Sequence, residues 1–76
     1  MELIEINSKI MLGKPVIKGT RITVEHIISM LAQGLSIEEI LIEYKGLRKE
    51  EILACLQYAE KILEKTTTLD LDKIAS

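Results

Sequence analysis

From Thr23 to Leu63 apolar residues recur at helical spacing, and Gly34 and Gly46 cut the pattern into three pieces. Val24, Ile27, Ile28, Leu31 and Leu35 fall at i, i+3, i+4, i+7 and i+11, with Glu25, Ser29 and Gln33 opposite them. That is the spacing of an amphipathic helix. Thr23 is placed to cap its start and Gly34 to end it. Ser36-Ile37-Glu38-Glu39 then spells a capping box, in which the Ser36 hydroxyl accepts the Glu39 amide and the Glu39 carboxylate accepts the Ser36 amide. A second helix beginning at Ile37 carries Ile40, Leu41 and Tyr44 and stops near Gly46. The third starts near Lys49 and runs to about Lys65, before the poor helix formers Thr66-Thr67-Thr68.

Ahead of Thr23 the chain reads as short strands and turns. Leu3, Ile4 and Ile6 alternate around Glu5, Ile10-Met11-Leu12 is a second apolar piece, and Gly13-Lys14-Pro15 is a turn. Lys18-Gly19-Thr20-Arg21 is a four-residue loop that predicts a small hairpin between Val16-Ile17 and Ile22-Thr23-Val24. The expected fold class is therefore mainly α: a three-helix, helix-turn-helix-like domain of homeodomain or winged-helix type with a short N-terminal β-hairpin region. It occupies residues 1–65 as a single domain, and residues 66–76 form a C-terminal tail expected to be flexible, whose Leu69, Leu71 and Ile74 offer a docking strip.

A chain of 76 residues with 13 Ile and 11 Leu but no Phe and no Trp must build its core from branched aliphatic side chains. Each contributes roughly 1.5–3 kcal/mol when fully buried, yet a domain this small buries only about 60% of its unfolded surface. On the third helix Ile52, Leu53, Cys55, Leu56, Tyr58, Ala59, Ile62 and Leu63 cover far more than one core-facing stripe. The surplus reads either as a homodimer or partner surface or as a central helix embraced by the other two. Ile42, Cys55, Tyr58 and Ile62 are the candidate oligomer-interface residues. Ile42 lies opposite the apolar stripe of its own helix.

Several chemistries are expected to be absent. One cysteine, Cys55, and one histidine, His26, supply neither an internal disulfide nor a zinc site, and a cytoplasmic, reducing setting is the default. His26 falls on the polar side of the first helix, and Cys55 within the apolar arc of the third, where a buried structural thiol is favoured over a nucleophile. Asp70 and Asp72 lack further ligands, and Glu38, Glu39 and Glu43 form a solvated helix face. The run from Gly13 to Thr20 lacks the Gly-Lys-Ser/Thr ending of a phosphate loop, and Pro15 removes a donor amide. No enzyme activity, cofactor, metal or small-molecule substrate is expected. Nothing approaches the roughly 20 apolar residues of a membrane helix, and the acidic Met1-Glu2-Leu3-Ile4-Glu5 start does not resemble a signal peptide.

The net charge of −2 hides an asymmetry: Lys9, Lys14, Lys18 and Arg21 put +4 on an acid-free stretch between Glu5 and Glu25, leaving −6 elsewhere. The basic stretch suits phosphates or an acidic protein surface. Lys14, Lys18, Arg21, Arg48, Lys49 and Gln57 are thus the candidate contacts to a partner or to nucleic acid. If the third helix entered a DNA groove, Glu50 and Glu51 in its first turn would lie unfavourably near phosphates.

The run Leu12-Gly13-Lys14-Pro15-Val16-Ile17-Lys18-Gly19-Thr20-Arg21-Ile22-Thr23-Val24, then Leu31-Ala32-Gln33-Gly34-Leu35-Ser36-Ile37-Glu38-Glu39-Ile40 and Ala54-Cys55-Leu56-Gln57-Tyr58-Ala59, resembles domain-of-unknown-function family 433 over roughly residues 6 to 63. The resemblance implies a prokaryotic, helix-turn-helix-like antitoxin of VapB-like type. Its usual companion is a PIN-like ribonuclease toxin encoded next door, with an active site of metal-holding carboxylates, and operator DNA binding by the pair is a further expectation of the resemblance. The family has no catalytic residues to transfer. Family members often carry Thr or Ser where Arg48 stands, and Arg48 is a poor N-cap that costs about 1 kcal/mol. The chain's own residues leave two other readings open: a free-standing dimeric DNA-binding regulator, and a structural subunit without DNA binding.

Overall fold

A computed structural model describes the backbone of residues 2–75 and the side chains of residues 2–65. In chain order the elements are β1 (Ile4–Glu5), a 3-10 turn (Met11–Gly13), β2 (Val16–Ile17), α1 (Val24–Ala32), α2 (Ile37–Glu43) and α3 (Lys49–Ala75). The domain is mainly helical, with a two-stranded antiparallel sheet before three helices.

The strand pairing differs from the expected hairpin. β2 pairs with β1, Ile4 opposite Ile17 and Glu5 opposite Val16. The loop after β2 does turn tightly, with the Ile17 amide donating to the Ile22 carbonyl at 2.9 Å, but only a single bridge, Val16 with Thr23, follows. The reason lies in Thr23. Its hydroxyl accepts the His26 amide at 3.0 Å, so the arm that would have become a strand is committed to starting α1. Thr20 closes the loop from inside, donating its hydroxyl to the Ile17 carbonyl at 2.8 Å and accepting the Ile22 amide at 3.0 Å.

Ile10-Met11-Leu12 is likewise not a strand. Between Glu5 and Val16 the chain must reverse, and it does so through Met11, Leu12 and Gly13 at φ 47°, 59° and 81°. Amides of Gly13 and Lys14 donate to the carbonyls of Ile10 and Met11 at 3.0 and 3.1 Å. Glycine takes this left-handed geometry freely; Met11 and Leu12 pay about 1–2 kcal/mol each for it.

The helix ends follow local chemistry closely. After α1, Gly34 at φ 101° lets its own amide reach the Leu31 carbonyl at 3.0 Å and the Leu35 amide reach Met30 at 3.1 Å, the bonding of a Schellman motif. The α2 capping box has both of its bonds, Glu39 amide to Ser36 hydroxyl at 3.1 Å and Ser36 amide to Glu39 carboxylate at 2.9 Å. The Ser36 amide, and after it the Ser36 hydroxyl, hold the Glu39 carboxyl below its ordinary pKa. At the start of α3, Arg48 supplies no capping side chain, but Glu51 supplies the other half of a box: its Oε1 accepts the Arg48 amide at 2.8 Å.

α3 continues to Ala75, past the end expected near Lys65. Threonine costs only a few tenths of a kcal/mol relative to better helix formers, and no Gly or Pro follows Thr66 to enforce a stop. The expected docking roles of Leu69, Leu71 and Ile74 fall on side chains outside the described residues, as do Met1 and Ser76.

The core joins Ile4, Ile17, Val24, Ile27, Met30, Ile40, Leu47, Ile52, Ala54 and Cys55. Met30 takes a buried place that helical spacing alone gave to Ile28 and Leu31, both of which pack at the core's edge. His26 Nε2 and the Tyr44 hydroxyl, 2.9 Å apart, tie α1 to the end of α2. Among the described residues no helix is long and apolar enough to cross a membrane.

Ile52 is fully buried, so Ile52→Ala should lower the unfolding free energy by about 2–5 kcal/mol. Ser36→Ala should lower it by about 1 kcal/mol. Urea titration followed by circular dichroism measures both, and equal effects would show that the core is not centred on α3.

Candidate functional site

The six candidate contact residues sit on different elements of the chain. Lys14 is turned to α1, where its Nζ lies 3.0 Å from the Glu25 carboxylate in an exposed ion pair, a contact worth little in water. Lys18 and Arg21 stand exposed in the loop after β2 and, among the described residues, make no ion pair. Arg48 leans over the Glu51 carboxylate at 3.7 Å, while Lys49 is exposed beside it. Gln57 lines a shallow dent with Glu2, Leu3 and Ala54. Along the chain the cations thus fall in three places: Lys14 before β2, Lys18 and Arg21 in the loop after it, and Arg48 and Lys49 at the start of α3.

The four interface candidates also separate. Cys55 is corrected outright: with 0% exposure it belongs to the monomer's own core and has no surface to give a second chain. Burial, and then the Glu51 charge, push its thiol up to a pKa of about 11, which makes it a poor nucleophile near neutral pH. Ile42 is 74% exposed on α2. Tyr58 and Ile62, by contrast, line one wall of an apolar groove of about 390 Å³ with Ala59 and Leu63. Pro15, Val24, Glu25 and Ile28 form the opposite wall. Ile62 and Leu63 remain 48% and 59% exposed there.

The feature that periodicity did not reveal is Leu12. Its side chain is 94% exposed, at the centre of the left-handed turn, with Ile6 and Met11 also exposed in the same segment. An apolar residue directly before a Gly-Lys-Pro turn was the available signal. Nothing in the spacing told a strand residue from a displayed one.

The sequence matches the DUF433 family, described as a protein of unknown function, over residues 4–59. The chain belongs to this family. It is also similar to the crystal structure of a DUF433 member protein from Anabaena variabilis, solved at 2.00 Å. The TM-score is 0.77 and the sequence identity 30%, covering 97% of this chain and 69% of that one. No curated protein is significantly similar in sequence. Family membership places the Gly13 to Arg21 segment and the helical body within a shared fold, and the matched residues end at Ala59, inside the groove.

Because the folded Cys55 thiol ionises near 11 and an unfolded one near 9, its burial favours folding fully below pH 9. That contribution is lost as pH rises to 11. Stability should fall over this window by on the order of 2 kcal/mol, and Cys55→Val should flatten the fall. A thiol reagent applied to the native protein at pH 8 should leave Cys55 unmodified; rapid labelling would contradict its burial.

Proposed function

We propose that this DUF433 protein is an antitoxin-like interaction protein of a prokaryotic toxin-antitoxin pair, which binds and neutralises a PIN-like ribonuclease. Leu12 is the observation that carries this reading. A side chain 94% exposed in a backbone conformation that costs energy contributes nothing to the monomer's core. Such a side chain is available to a contact outside the chain. Beyond β2 the chain carries Lys18 and Arg21, both exposed, so this short segment offers apolar chemistry ahead of the strand and cationic chemistry after it. That combination suits a partner with an apolar rim around a cluster of carboxylates.

Binding of operator DNA is the second reading, supported by the same two cations and by the order of the helices. Glu50, exposed in the first turn of α3, and the Glu51 carboxylate beside Arg48 weigh against α3 as the base-reading helix. The protein partner is therefore preferred.

Co-expression with the product of the neighbouring reading frame should give a complex that co-purifies and relieves growth inhibition. Leu12→Gly, which relieves the positive-φ strain at that position, should leave the melting temperature no lower than the parent's while losing the complex. If the two products neither co-purify nor interact in the growth assay, the antitoxin reading fails. A gel shift against the upstream region that shows no band at low salt removes the DNA reading.

A further inference from the structure

We infer that the apolar groove between α3 and the Pro15 to Ile28 wall is occupied by α3 of a second copy, so that two chains exchange the same helix across a two-fold axis. The groove continues the core. Ile52 and Cys55 are buried under α1 and the sheet, and Ala59 and Ile62 follow them at the same three- and four-residue spacing. At Ile62 the wall facing α3 no longer closes over it, and the side chain is left 48% exposed. From Leu63 the helix continues through twelve more residues to Ala75, and in the sequence Leu69 stands seven residues after Ile62.

Among the described residues one molecule therefore offers both halves of a contact: an apolar groove, and on α3 the apolar side chains Leu56, Ile62 and Leu63, 40%, 48% and 59% exposed. A two-fold exchange satisfies both at once and closes on itself. Charge points to the same occupant. Among the described residues the groove has one acidic lining residue, Glu25, and it is paired with Lys14. Glu60, Lys61, Glu64 and Lys65, around the stripe, sum to zero. Two copies therefore meet without net repulsion, whereas the cationic β2 loop is suited to an acidic partner. The small size of the domain adds a reason, since association is one of the ways a chain of this length supplements a small core. This pairing is independent of the Leu12 surface and of the identity of any toxin.

The purified full chain should sediment at about 17 kDa, twice its 8.6 kDa mass. Ile62→Glu and Leu63→Glu place a carboxylate in the groove and should each weaken self-association about 100-fold. Protection of Cys55 from thiol reagents reports that each variant is folded. Ile28→Glu, on the opposite wall, should act in the same direction, while Ile42→Asp on α2 should leave the dimer intact. A monomeric parent at all concentrations overturns the inference. So does a dimer that survives Ile62→Glu and Leu63→Glu, or one that dissociates on Ile42→Asp alone. Loss of the Leu12-dependent complex with the dimer retained would bear on the toxin reading and not on this one.

Discussion

The contact on which the rest of the molecule depends is the burial of the first two turns of α3 against α1 and the sheet. Ile52 and Cys55 are fully buried, as are Ile17 and Ile27, and with no Phe or Trp in the chain these branched residues supply what an aromatic would elsewhere. Close packing of many small shapes leaves little tolerance for a lost methyl group. It also explains why β strands of only two residues each persist: Ile4 and Val16-Ile17 are held by what they pack on more than by their ladder.

Charge near this core is used structurally before it is available for anything else. The Glu51 carboxylate is 8% exposed as a residue, accepts the Arg48 amide and lies beside the Arg48 guanidinium. It thereby repairs a helix start that begins with an arginine and, after burial itself, helps to raise the pKa of Cys55 one turn on. The Lys14 and Glu25 pair similarly joins the turn before β2 to α1. Of the segment's cations, Lys18 and Arg21 carry charge that these local pairings do not consume.

Sequence reading succeeded where the determining interactions are short-range. The Ser36 and Glu39 box, the Thr23 cap and the Gly34 stop are each decided within three to five residues, and all three are present. It misplaced features decided by distant parts of the chain. Partnering Ile4 with Ile17 spans a long loop and leaves too few strand residues to alternate visibly. Met11 and Leu12 adopt positive φ because that loop must reverse, which no residue type there advertises. On α3, spacing showed too much apolar surface for one contact but could not divide it, and only packing separates buried Cys55 from exposed Ile62.

The length of α3 has a thermodynamic consequence. A single helix closes the monomer's core with its first turns and lines the groove with its middle turns, so order at one end is continuous with order at the other. Any species that binds the middle of the helix in its folded form adds its binding free energy to that of the whole domain, through mass action. The melting temperature of so small a chain would then depend on how much of that species is present, and its lifetime in a cell would become a measure of its company.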